Sequence, residues 1–222
     1  MILCFLNYGL QDYSNEMKKI YLDTERQFLE FTYVVPIDEN QKLYSPRLYS
    51  LLQFTCSQID SLMKNIVDEL QLKLARKNSF KNLFCSLNWC GMLNLQSVFF
   101  YEIEKEIQPF RGNFNLEWWI AYNKTKHGLP SGMKKATMKN VISALAGAYI
   151  LNGIVHTLSY AYASKNKLSI LDNKNWGKTT VDETTIHNIR MLRNYENTVP
   201  FISNFFSWLC TYHNPRQPSA PI

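Results

Sequence analysis

The stretch Glu117-Trp118-Trp119-Ile120-Ala121-Tyr122-Asn123-Lys124-Thr125-Lys126-His127-Gly128, with the apolar run from Val141 to Ala163 behind it, decides how the chain folds. The stretch reads as a short helix with a marked end. Gly128 suits a left-handed cap, and Pro130 stands where a helix cannot continue. Helical spacing puts Trp119, Asn123 and His127 on one face, with Tyr122 and Lys126 beside them. An imidazole at a helix C-terminus feels the negative end of the macrodipole, which favours its protonated form. Two indoles, an amide, two ammonium groups and an imidazole are thus expected at one exposed helix end. It is the most site-like cluster in the chain.

The run from Val141 to Ala163 is apolar on nearly every side, interrupted by Ser143, Asn152, His156 and Ser159. Its uninterrupted apolar runs are short, so it reads as a central buried helix rather than a membrane span. Small residues at Ala144, Ala146, Gly147 and Ala148 let a neighbouring helix approach closely. His156 reads as a hydrogen-bonded core histidine. Between this run and the motif, Ser131 to Lys139 is a basic loop and helix start.

Upstream, Ser45 is a good N-cap and Pro46 fits the first helical position, where no amide donor is needed. Leu48, Leu51, Leu52, Ile59, Leu62, Met63, Ile66, Val67, Leu70 and Leu74 then recur mostly at three- and four-residue steps, and the pattern holds to about residue 76. At about 1.5 Å per residue this helix is roughly 45 Å long. Asp60 and Lys64 are spaced to pair on its surface. A first amphipathic helix is expected over 15–32, capped by Ser14. The β-branched and aromatic residues 31–35, closed by Pro36, read as a short strand. Residues 79–90 suggest a shorter helix. Residues 98–107 alternate like a half-buried strand able to pair with 31–35, although their Glu and Lys content also permits a helix.

Beyond Ala163, residues 165–182 are polar without periodicity, and 184–212 suggest one or two helices broken at Pro200. The expected organisation is one domain over 1–212 followed by a Pro-rich tail, 213–222. The apolar start, Met1 to Leu6, is too short for a signal peptide or a membrane span, which points to a cytoplasmic protein without membrane attachment. Five cysteines without C-x-x-C spacing read as buried reduced thiols.

The net charge of +6 is unevenly spread. From Trp118 to Leu171 there is no acidic residue but seven lysines, while the rest of the chain carries 17 basic against 18 acidic residues. A one-sided basic field around the motif favours a polyanion, with RNA as the candidate partner through Lys124, Lys126, Lys134, Lys135 and Lys139. The competing reading makes these lysines an ordinary solvated face.

The same residues carry a resemblance. The run W-W-x-x-Y-N-x-x-K-H is followed, after about eight residues, by Ala136-Thr137, Asn140-Val141, Ala144-Leu145-Ala146, Tyr149 and Leu151. Upstream stand Tyr44-Ser45, Cys56-Ser57-Gln58-Ile59-Asp60 and Lys64, with Gln58 in place of the usual acid. Together these resemble uncharacterised bacterial proteins of the HEPN-like superfamily, over roughly residues 15–160. The resemblance implies a mainly α fold, a four- to five-helix HEPN-like bundle with a small β element. It also implies a homodimer with an RNA-associated or defence-related role, of the toxin–antitoxin kind. Active members cleave RNA without metal, using R-x(4–6)-H with a polar residue after the arginine. Here Asn123 matches the polar residue and His127 the histidine, but Tyr122 occupies the arginine's place. The implied activity is at most a residual metal-independent endoribonuclease with a degenerate motif. His127 would be the general base, and lysines would supply point charges without the arginine fork.

Two readings therefore stand side by side. In the second, the chain is a non-catalytic helical scaffold, Asn123 and His127 cap a helix end, and Trp118 and Trp119 fill the core. No phosphate loop, dinucleotide fingerprint, H-E-x-x-H or G-x-S-x-G is present, and the four histidines lack ligand spacing, so neither a cofactor nor a metal is expected.

Overall fold

The computed structural model describes residues 2–37, 42–69, 79–89, 93–94, 96–127, 132–163 and 203–209. The fold is mainly helical: α1 (Ile2–Thr32), α2 (Pro46–Glu69), α3 (Phe80–Trp89), α4 (Glu117–His127) and α5 (Met138–Ala163) form a bundle. Three short strands, β1 (Ser97–Phe100), β2 (Lys105–Ile107) and β3 (Phe206–Leu209), form a sheet in the order β2-β1-β3. The expected continuation of α2 to residue 76, the Gly128 cap, residues 165–200 and the tail lie outside the described residues.

Local chemistry sets where α2 and α5 begin. Ser45 Oγ accepts the Leu48 amide at 3.1 Å, the N-cap bond that the Ser-Pro pair predicts. The start of α5 is tied beside it: the Met138 amide donates to the Leu43 carbonyl at 2.8 Å, and Tyr44 bridges to Thr137. From there α5 packs along both α2 and α1. The expected seam is present, with Ile59, Leu62 and Ile66 of α2 and Leu145, Ala148 and Leu151 of α5 all fully buried. Gly147 marks a close approach: a Cβ there would stand 3.1 Å from Phe110 Cζ and 3.6 Å from Ile59 Cδ1. Met138–His156 has the length and hydropathy of a membrane span, and 89% of the segment is buried inside the fold, the surroundings of a core helix. His156 is half-buried, and its pKa is lowered, first by burial and then by Lys18.

Several sequence expectations are corrected. The first helix does not start at Ser14 but runs on from Ile2, and Ser14 is a buried mid-helix residue. Residues 31–35 are not a strand. Their backbone bonds are satisfied locally as α1 ends, with the Tyr33 amide on the Leu29 carbonyl (3.2 Å) and the Val35 amide on the Phe31 carbonyl (3.1 Å). β-propensity gives way when the helix can continue and no partner strand is near. Residues 98–107 are not one strand. A 3-10 turn at Tyr101–Ile103 and a left-handed Glu104 (φ 49°) fold them into a β1–β2 hairpin pairing Val98 with Ile107 and Phe100 with Lys105. Residues 206–209 are strand rather than helix, antiparallel to β1. Cys56 is buried as expected, but Cys85 is exposed.

One buried carboxylate, which periodicity gives no reason to single out, fastens β3. Glu25 of α1 is fully buried and accepts from the Tyr21 hydroxyl (2.9 Å), the Asn204 amide (3.1 Å), Asn204 Nδ2 (3.2 Å) and the Ser203 hydroxyl. Ser203 Oγ in turn accepts the Phe205 and Phe206 amides at 3.1 and 2.9 Å, turning the chain into the strand. Phe205 then packs on Phe28, ring centroids 5.2 Å apart. A buried carboxylate persists where donors replace its hydration, as four do here. Replacing Glu25 with Ala would leave buried donors without an acceptor at roughly 1–3 kcal/mol each. Urea unfolding of Glu25→Ala should show a loss on the order of 3 kcal/mol. Hydrogen exchange should show the amides of 206–209 losing protection. An unchanged midpoint would mean that the network is incidental.

Candidate nucleic-acid interface

α4 divides the motif between core and solvent. Trp118, Ala121, Tyr122 and Thr125 are buried, Trp119 is half-buried, and Asn123, Lys124 and Lys126 are exposed. The two indoles therefore do not belong to the exposed cluster. Trp118 Nε1 donates to the Pro109 carbonyl at 2.8 Å and meets Phe110 edge-on. Trp119 stacks on Phe80, centroids 3.6 Å apart, which anchors α3. Burial of large rings fixes the helix, and its remaining face is free for other work.

Against α2, α4 is held by a polar seam rather than an apolar one. Tyr49, Gln53 and Ser57 recur every four residues and face α4. The Tyr49 hydroxyl donates to the Thr125 carbonyl (3.3 Å), Gln53 Nε2 donates to the Thr125 hydroxyl, and Ser57 Oγ lies 3.4 Å from the Tyr122 hydroxyl. Thr125 Oγ1 also bonds the Tyr122 carbonyl at 2.6 Å. Asp60 and Lys64 form the expected ion pair one turn further along. The i, i+4 spacing of Tyr49, Gln53 and Ser57 was available as a signal in the sequence.

Tyr122 is a core residue whose hydroxyl edge reaches the seam. Lys126 lies with Nζ 4.6 Å from the centre of the Tyr122 ring. Its pKa is raised, chiefly by its hydrogen bond to the Tyr122 hydroxyl and more weakly by the charge of Asp60. Lys126 is thus held as a cation at neutral pH. Burial pushes the Cys56 thiol well up, so this neighbour stays protonated and is no nucleophile. Asn123 and His127 stand one turn apart on α4, and the His127 side chain lies outside the described residues.

The lysines fall into two groups. Lys139 is exposed but paired with Glu117 at 2.7 Å, an acid one residue outside the acid-free stretch. Lys124 of α4 and Lys134 and Lys135 of the 3-10 turn Met133–Lys135 are exposed and have no acidic partner among the described residues. That turn packs against α4, so the three exposed lysines lie on neighbouring elements. Among the described residues, no three His, Cys, Asp or Glu side chains are placed to share a metal ion. Comparisons with protein-family models, curated proteins and solved structures find no match to this chain.

Tyr122→Phe tests the seam. The raised Lys126 pKa means that the stabilisation is fully present below the unfolded value of 10.5 and is lost as pH rises through the folded one. NMR titration of the lysine ε-carbons should show Lys126 titrating at lower pH in the variant, with the two proteins' stabilities converging at high pH. Identical Lys126 titration in both would remove the hydroxyl from the account.

Proposed function

We propose that the chain is a HEPN-like, RNA-associated domain whose α4 face and following turn bind the phosphate backbone, with a degenerate motif that favours binding over cleavage. The observation that carries this is the grouping of Lys124, Lys134 and Lys135 without acidic partners beside a cationic Lys126. Lysines of this kind act as point charges toward phosphate and release counterions on binding. Tyr122 supports the weak-catalysis half of the proposal. It is buried and hydrogen-bonded along the α2 seam, and it offers no guanidinium fork to a scissile phosphate. His127 keeps its proposed role as general base for a residual metal-independent endoribonuclease, with Asn123 beside it. A homodimer, a cytoplasmic location and a defence role belong to the proposal through the resemblance alone.

A scaffold without nucleic acid is the second reading, favoured by the exposed Ile20, Tyr33, Val34 and Phe54. On helices α1 and α2, Gln58 bonds the Met17 carbonyl and Arg47 the Gln27 carbonyl, a register that puts Ile20 and Phe54 at about the same level along the two helices. Salt dependence separates the two readings.

Fluorescence anisotropy with single-stranded and hairpin RNA across a salt series should give affinity that falls steeply with salt. Replacing Lys124, Lys134 and Lys135 by Gln should flatten the logarithmic slope by about 2, at roughly 0.7 per phosphate contact on a single strand. No binding by the parent, or an unchanged slope, would return the lysines to an ordinary solvated face. Any cleavage should rise with pH as the imidazole becomes neutral and vanish in His127→Ala while the melting temperature holds. A variant that unfolds instead would make His127 structural.

A further inference from the structure

Beside the N-terminal end of α4 lies an open cleft of about 250 Å³ that the proposed function does not use. It is formed by the segment 107–118 and by Ser143 of α5. That volume is below the roughly 300–1,000 Å³ of sites for drug-sized ligands, which limits the occupant to about one ring system. The loop that forms the cleft is fixed. Gly112 adopts φ +99°, a left-handed conformation that side chains resist, and Asn113 Oδ1 accepts the Asn115 amide at 3.2 Å. Trp118 Nε1 donates to the Pro109 carbonyl, which ties the loop to the start of α4.

The polar lining has capacity to spare. The Arg111 guanidinium, the Asn115 side-chain amide and the Ser143 hydroxyl have no partner among the described residues. Asn113 retains its NH₂ group. Gln108 keeps its carbonyl, because its NH₂ group already donates to Glu106 at 2.9 Å. The acid in the lining, Glu117, is engaged with Lys139 at the rim. Amide, guanidinium and hydroxyl groups of both kinds, donor and acceptor, beside apolar Pro109 and Leu116 suit neither a simple anion nor an apolar ligand. They suit the edge of a planar heterocycle. Arginine pairs bidentately with the O6/N7 edge of guanine, and asparagine with the N6/N7 edge of adenine. RNA-binding proteins read unpaired bases by such edges, not paired ones.

From this we infer that the cleft receives one unpaired purine base. The inference rests on the RNA reading above for its biological ligand, but the cleft can be tested without RNA. Purified protein titrated with each of the four nucleoside 5′-monophosphates, followed by ligand-observed NMR, should bind the purines about ten-fold more tightly than the pyrimidines. Arg111→Gln should weaken purine binding about ten-fold. Ser143→Leu, which fills the cleft from α5, should abolish it. Both variants are read on the nucleotides alone, separately from the RNA salt series, and the exposed Arg111 serves as the control should Ser143→Leu melt early.

Equal response to the four nucleotides, or a pyrimidine preference, overturns the assignment. So does purine binding unaffected by Arg111→Gln. A parent that binds RNA with a salt-dependent slope but shows no purine preference sinks this inference alone. A parent that binds purine nucleotides in the cleft but no RNA sinks the RNA reading and leaves the cleft standing.

Discussion

The constraint on which the structure depends is the coverage of α5. A helix of 26 residues that is apolar on nearly every side cannot sit at a surface, so other elements must enclose it. α1 and α2 take two flanks, α4 takes part of another, and the strands β1 and β3 touch it besides. This division explains why α4 buries Trp118, Ala121 and Tyr122 and turns Glu117, Asn123, Lys124 and Lys126 outward, together with Ile120. It explains the polar seam as well. α4 gains apolar burial against α5 and α3, and its remaining contact with α2 is met by hydrogen bonds that fix its register.

What was legible in the sequence was what is local. Ser45-Pro46 announces the start of α2 by cap chemistry, and the leucine and isoleucine spacing announces its buried face. The motif helix and the buried α5 were equally readable, because periodicity and small residues act within a few turns. What was not legible involves partners far apart in the chain. β3 pairs with β1 more than a hundred residues away, and a short run such as Phe205-Phe206-Ser207-Trp208-Leu209 fits helix or strand until its neighbour is known. Glu25 looks like any surface glutamate until Ser203 and Asn204 are placed against it.

The candidate site was half legible for the same reason. Spacing correctly put Asn123, Lys124 and Lys126 in solvent, but it grouped Trp118 and Trp119 with them because a helical wheel does not say which side meets the bundle. The acid-free stretch was real, yet the pairing of Lys139 with Glu117 takes one lysine out of it across 22 residues. Tyr122 shows how one side chain serves two contacts: its ring is buried in the bundle while its hydroxyl reaches the polar seam with α2.

The long separation between Glu25 and its donors bears on how the chain is made. Ser203 and Asn204 follow Glu25 by 178 and 179 residues. At roughly 5–20 residues per second of synthesis, α1 leaves the ribosome on the order of ten seconds or more before they do. In that interval Glu25 has only the Tyr21 hydroxyl of its own helix, and water, in place of its full set of donors, so its complete burial carries a desolvation cost until they arrive. The burial of Glu25, and the packing of Phe28 on Phe205, are thus completed by residues made near the end of the chain's synthesis, so the inner face of α1 reaches its final surroundings only once β3 is in place.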